Sequence, residues 1–196
     1  MSGQILAYAG GPATLQLSAE YPEASAQGLR PAAPPTPPGR LVVYASGVVD
    51  AGGHFSLSLP SSAETQETIA TGLQRYTSLG FVDPVTGVEQ DCRGLVTASD
   101  PTVAFADPSL SLGTDGRTVY EGAFPPDPTL QNRRFKTIRY WYVGAPVTVI
   151  GGCPGAYTFD VHLQAGWNAV TQDGSTPGAP TRFETVPGQQ FPFHLL

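Results

Sequence analysis

The stretch that most constrains this chain runs from Arg134 to Val170, where β-branched and aromatic residues are densest and where Cys153 and both tryptophans lie. Within it Tyr157, Phe159, Val161 and Leu163 alternate with Thr158, Asp160, His162 and Gln164. That period of two is the pattern of a strand with one face buried and the other in water. The stretch therefore supplies the central strands of the fold. The rest of the chain must provide partners for them, and its composition suits strands better than helices. The 23 glycines and 20 prolines, with only 13 % charged residues, favour many short strands joined by turns. The expected fold class is all-β: an antiparallel β-sandwich with long Pro/Gly-rich loops and at most one short helix, in a single domain spanning residues 1–196.

In chain order, Gln4–Ala9 and Ala13–Glu20 read as two strands around the Gly10-Gly11-Pro12 turn, with Leu15 and Leu17 facing inward. Residues 22–39 hold six prolines and almost no large apolar side chain, so they read as an extended surface loop; a proline-rich ligand for a partner domain is the less ordinary reading. Leu41–Val49, the turn Asp50-Ala51-Gly52-Gly53, and the alternation of Phe55, Leu57 and Leu59 with serines predict a hairpin ended by Pro60. A capping-box pattern at Ser61 or Ser62 with Glu64, followed by Ile69, Leu73 and Tyr76, predicts one short helix near 62–75. From Thr77 to Phe124 recurring Asp-Pro and Asp-Gly pairs predict irregular structure with two or three short strands. Further loops are expected at 124–128 and 174–180. A last strand ending in PFHLL should turn Phe191, Phe193 and Leu195 inward.

The openings GQILAYAGGPATLQL and SGVVDAGGHFSLSLP resemble the start of carboxypeptidase regulatory-like (transthyretin-like) β-sandwich modules over residues 3–60. Such modules open with a glycine-led strand and carry a hairpin with an aspartate/glycine turn. A second, weaker resemblance is to bacterial envelope lipoproteins that pair such an opening with a YWYV…C…LxxGWN segment, here Tyr140-Trp141-Tyr142-Val143, Cys153 and Leu163 to Asn168. What these resemblances imply is a sandwich without catalysis. They carry over no active-site residue, and this chain departs from the pattern by its proline loop and by everything after Pro60.

A net charge of −6 and a pI near 4.9 disfavour nonspecific binding to nucleic acid or anionic membranes, which requires clustered Lys and Arg. No apolar run is long enough to span a bilayer, and no signal-peptide pattern opens the chain. Met1, the sole methionine, reads as an initiator on a chain from which an export signal was trimmed. The Arg-over-Lys and Ala/Gly/Pro/Val bias suggests a GC-rich bacterial source. The expected location is exported: periplasm, cell envelope or exterior.

Cys92 and Cys153 have neither CxxC spacing nor a nearby histidine pair, which leaves a disulfide or two unlinked core thiols. His54, His162 and His194 show no metal-binding spacing, and no cofactor or metal is expected. Asp160 and His162 share a strand face and form a candidate acid–base pair, or two solvated side chains. No serine or cysteine lies in a nucleophile motif. Arg133, Arg134, Lys136 and Arg139 put four of the ten basic residues within seven positions, as an anion site or as a charged strand edge that discourages aggregation. Trp141 must face opposite to Tyr140 and Tyr142. If one of those faces is exposed it makes an aromatic platform for sugars, and otherwise both are core. Trp167, after the bend at Gly166, is expected to fold back over the core edge. The reading that follows is a non-catalytic exported or envelope module whose partner is an envelope protein or a polysaccharide. The alternative is a carbohydrate-binding module or hydrolase using Tyr140, Trp141, Tyr142, Arg133, Arg134 and Arg139.

Overall fold

The structure is a computed structural model, and it describes residues 1–6, 8–21, 40–61, 65, 81–82, 89–90, 94–113, 117–123, 136–185 and 193–195. Its strands are β1 (Ser2–Gln4), β2 (Ala13–Tyr21), β3 (Arg40–Val49), β4 (His54–Ser56), β5 (Phe81–Val82), β6 (Glu89–Gln90), β7 (Val96–Ala98) and β8 (Phe105–Ala106). They continue as β9 (Ser109–Leu112), β10 (Thr118–Ala123), β11 (Lys136–Val143), β12 (Val147–Cys153), β13 (Tyr157–Leu163), β14 (Gly166–Asp173), β15 (Thr181–Thr185) and β16 (Phe193–Leu195). The fold is all-β, as the composition requires. The proline-rich segment, the expected helix apart from Thr65, and the loop at 124–128 fall outside the described residues.

Hydrogen-bonded neighbours run in the order β1-β4-β3-β2-β9-β10-β11-β14-β15-β13-β12-β7, with β16 beside β10, β8 beside β11, and β5–β6 forming a separate pair. All pairings in the main path are antiparallel except β13–β15, which is parallel and departs from a purely antiparallel sandwich. The path folds over two cores. Leu15, Leu17, Val49, Phe55, Leu57, Leu112, Val119 and Phe193 lie in the first, and Trp141, Val143, Val149, Phe159, Val161, Leu163 and Phe183 in the second.

The first core is enclosed by a ring. From β1 the ladder passes through β4, β3, β2, β9 and β10 to β16, and Phe193 of β16 then bridges Ile5, just past β1. Leu6 N–H donates to the Phe193 carbonyl at 2.8 Å, which reinforces the closure. Leu15 and Leu17 are buried as their alternation predicts. On β3 the alternation is broken because Leu17 pairs with Ala45 and Ser18 with Val43, so Tyr44 is an extra residue. This bulge turns both Tyr44 and Ala45 toward the core.

The hairpin turn forms as expected. Asp50 Oδ1 accepts from the N–H groups of Gly52 (2.8 Å) and His54 (2.9 Å), and the His54 bond contributes most to holding the Asp50 carboxyl below its ordinary range. Gly53 sits at φ +80°, and a Cβ there would meet the Ile5 carbonyl at 2.7 Å, so the position admits only glycine. The ladder itself ends at Ser56, before the expected stop at Pro60, but Leu57 remains inward and exchanges backbone hydrogen bonds with Met1.

Two expectations need correction. The opening strand is Ser2–Gln4 rather than Gln4–Ala9, because past Gln4 the backbone bonds are divided, Ile5 N–H donating to the Gly53 carbonyl (3.0 Å) and Leu6 N–H to the Phe193 carbonyl (2.8 Å). Between Thr77 and Phe124 the described residues hold six strands, β5 to β10, rather than two or three. The Asp-Pro pairs at 100–101 and 107–108 end strands after a few residues, and the strands they separate join different partners, β7 with β12, β8 with β11, and β9 with β2 and β10. Between and around them Val96, Val103, Phe105, Leu110, Leu112 and Val119 all reach a core.

Candidate functional site

Every sequence-derived candidate for binding that the structure describes lies on or beside β11. This strand pairs with β14 along its full length, Lys136 opposite Asp173 through Val143 opposite Gly166. Its other edge meets β10 at one end and β8 at the other. Successive side chains on a strand point to opposite faces, and here both faces end in a core. Trp141, 1 % exposed, enters the second core, while Tyr142, 0 % exposed, enters the first. Neither presents a ring to solvent, so the aromatic platform is not formed by these two residues.

Each ring has a defined packing role. Trp141 meets Phe105 edge to face (centroids 5.4 Å, 78°) and stacks on Phe183 (5.8 Å, 21°), which in turn stacks on Phe159 (4.7 Å, 18°). Contacts of this kind contribute about 0.5–1.5 kcal/mol each beyond simple burial. Tyr142 meets Trp167 edge to face at 5.4 Å, and Trp167 meets Tyr44 at 5.7 Å. Trp167 follows Gly166 (φ +101°), is half-buried against the first core, and donates its indole N–H to the Pro60 carbonyl at 3.2 Å. It folds back over the core edge, as expected from the glycine before it.

The polar residues of β11 are tied across strands. Arg139 holds Asp107 through two nitrogens, Nη2 at 2.7 Å and Nε at 2.9 Å from Oδ1. Lys136 lies 3.8 Å from Asp173, which also accepts from the Ser175 hydroxyl (2.6 Å) and backbone N–H (3.0 Å) and lies 3.6 Å from Arg182. Burial pushes the Asp173 carboxyl up, but the Ser175 bonds and then the Lys136 and Arg182 charges outweigh it, so the group ends below its ordinary value. Arg133 and Arg134 lie outside the described residues.

Tyr140 donates its hydroxyl to Glu121, a carboxylate only 3 % exposed on β10. Burial, then that hydrogen bond, then the Glu121 charge drive the phenol above its ordinary value of 10.0. Sequence reasoning did not single out Glu121. Its signal was faint: a lone acid between Tyr120 and Gly122 in a short strand. The two residues border a cleft of about 30 Å³, lined also by Thr137, Arg139, Thr118 and Ser109, which is room for a water or two.

The Asp160/His162 pair exists, with His162 Nε2 at 3.1 Å from Asp160 Oδ1 and Nδ1 at 3.3 Å from the Thr148 hydroxyl. Both side chains are well over half exposed on the flat outer face of β13, with Phe159, Val161 and Leu163 buried beneath. His54 likewise sits at the surface beside Asp50, at 3.3 Å. Among the described residues no three His, Cys, Asp or Glu side chains converge as a metal site. Cys153 is buried at the end of β12, and Cys92 lies outside the described residues.

Comparison with protein-family models, with curated proteins and with solved structures returns no match. No helix among the described residues is long and apolar enough to cross a membrane.

Proposed function

We propose that this chain is a non-catalytic β-sandwich module of the exported or cell-envelope kind, serving a structural or interaction role toward an envelope protein or a polysaccharide. The observation that carries the reading is the use to which β11 is put. Trp141 and Tyr142 fill two cores, and Lys136, Arg139 and Tyr140 are bound to acids on or beside neighbouring strands. These residue types, which elsewhere stack on sugars or hold anions, here join the halves of the molecule. The same use weakens the alternative, a carbohydrate-binding module or hydrolase built on Tyr140, Trp141 and Tyr142. Solvent-facing apolar side chains do occur at Leu41, Val43 and Val48 on the outer face of β3, and they are the first place to seek a partner's footprint.

Two further elements belong to this reading. The likeness of residues 3–60 to carboxypeptidase regulatory-like modules falls on β1 to β4, which form the greater part of the first ring. A Cys92–Cys153 bridge would suit an oxidising compartment.

The test is a hydrolase screen over esters, glycosides, peptides and phosphoesters with metal-replete protein, repeated with Asp160→Asn, His162→Ala and Glu121→Gln, alongside a glycan-binding panel. The expected result is no turnover in any of them. Turnover that one of these substitutions abolishes in a folded protein would replace the reading with catalysis at that residue.

A further inference from the structure

On the outer face of β12 and β13 a hydroxyl, an imidazole and a carboxylate stand in line. Thr148 and His162 are opposite each other in the register. The main-chain N–H and carbonyl of Thr148 both bond to Ser99 (Oγ 3.0 Å, N–H 2.9 Å), and those of His162 both bond to the Thr185 hydroxyl (2.7 and 3.1 Å). Their backbone groups therefore point away from each other, which makes this the close, non-hydrogen-bonded kind of antiparallel pair. That closeness brings the Thr148 hydroxyl to 3.3 Å from His162 Nδ1. Asp160, two residues before His162 and so on the same face, places Oδ1 3.1 Å from Nε2. Glu184, opposite Asp160 on β15, lies 3.7 Å from Arg182.

The arrangement has a chemical direction. With its proton on Nε2, His162 donates to Asp160 and turns an unprotonated Nδ1 toward the Thr148 hydroxyl, the tautomer that a general base needs. The carboxylate favours that tautomer and stabilises the imidazolium formed when the proton is taken. Both strands are fixed by bonds on their far sides, so the three groups stand on rigid backbone. His162 and Asp160 are well over half exposed and Thr148 is half-buried, so a donor in solution can reach them.

We propose that Thr148 is an O-acylation site, taking one acyl group from a donor with a weakly basic leaving group, an aryl ester or a thioester. Thr148 Oγ1 attacks the acyl carbonyl while His162 Nδ1 takes the hydroxyl proton. The new C–O bond forms, the bond to the aryloxide or thiolate breaks, and the imidazolium returns the proton to that leaving group. The N–H groups of Thr148 and His162 are already given to Ser99 and Thr185, so neither is offered to an oxyanion, and unactivated esters are not attacked. The product is an alkyl ester whose leaving group is a strongly basic alkoxide, so the reaction stops after one acyl group. It goes beyond the function proposed above and adds no turnover to it.

The experiment treats the full chain with p-nitrophenyl acetate and follows it by intact-mass and peptide-mapping mass spectrometry. The expected result is a single acetyl group on Thr148, formed about tenfold or more slowly in His162→Ala and absent from that position in Thr148→Val. Asp160→Asn should slow the reaction less. Because Asp160 acts through His162, nitrogen NMR should also show the His162 proton losing its preference for Nε2 in that variant, a change that a merely structural role would not produce. Acetyl groups found only on Lys136, His162 or the amino terminus would overturn the proposal, as would acetylation of Thr148 that runs equally fast in folded His162→Ala. Sustained p-nitrophenol release that Thr148→Val abolishes would overturn it as well, together with the non-catalytic reading.

Discussion

The two cores are built from different distances along the chain. The second draws nearly all its members from 141–183, with Val96, Val103 and Phe105 added, and is dominated by a Trp141, Phe159, Phe183 and Phe105 cluster. The first gathers residues from Ile5 to Leu57, from Ala106 to Val119, Tyr142 and Phe193, and is largely aliphatic. Local hairpins can assemble the one, whereas the other requires the two ends of the sequence to meet, the slower kind of contact. What the contrast teaches is where function-like residues go. The aromatic residues gathered around β11 are needed where a locally formed core must be bound to a distantly formed one, so their density marks a junction rather than a binding face.

The largest expected effect is at that junction. Trp141→Ala should cost about 3–5 kcal/mol, as for other large core aromatics, and Trp167→Ala less, about 2 kcal/mol, because that indole is only half-buried. Denaturant midpoints of the two variants read the difference directly. Equal losses would mean that the two cores depend equally on their tryptophans. Comparable with the Trp141 loss is that of the proposed Cys92–Cys153 bridge, whose reduction should cost about 4 kcal/mol by loop entropy. Denatured, unreduced protein should then show no titratable thiol, and two thiols in material prepared under oxidising conditions would refute the bridge.

A smaller effect tests the polar seam between β10 and β11. Tyr140→Phe removes a donor from buried Glu121 and should cost about 1–3 kcal/mol. Because the folded phenol is raised above its ordinary value of 10.0, its contribution is full below that pH and is lost as pH rises through and beyond it. Stability of the parent should therefore fall from about pH 8 to about pH 11 more steeply than that of Tyr140→Phe. Parallel curves would mean that the phenol is no more buried than in the unfolded chain. The smallest effect is expected at the surface. Asp160→Asn and His162→Ala should each stay within about 0.5 kcal/mol of the parent, and a larger loss would give that pair a structural weight its exposure does not suggest.

Much of the second core was legible. The alternation from Phe159 to Leu163 states its own inward face, and the structure buries those residues while leaving Thr158, Asp160, His162 and Gln164 in water. Leu15, Leu17 and the Asp50 turn were legible for the same reason, that the signal lies within a few residues. The fate of β11 was not. A period of two says that Trp141 and Tyr142 face apart, but it does not say whether the second face meets water or another core. The strands between Val96 and Leu112 were hidden because two to four residues are too few to display a period. The pairs that complete the molecule, Phe193 with Ile5, Arg139 with Asp107 and Tyr140 with Glu121, join segments whose own patterns carry no trace of the partner.

The central claim is that β11 is a wall between two cores and turns Trp141 and Tyr142 away from any ligand. A Trp167→Phe variant leaves Trp141 as the sole indole, and its fluorescence tests the claim most directly. The account predicts emission typical of an apolar environment, shielded from iodide and acrylamide and unchanged by any oligosaccharide in the panel. Emission at the wavelength of a solvated indole, quenched by iodide and protected by a sugar, would contradict it.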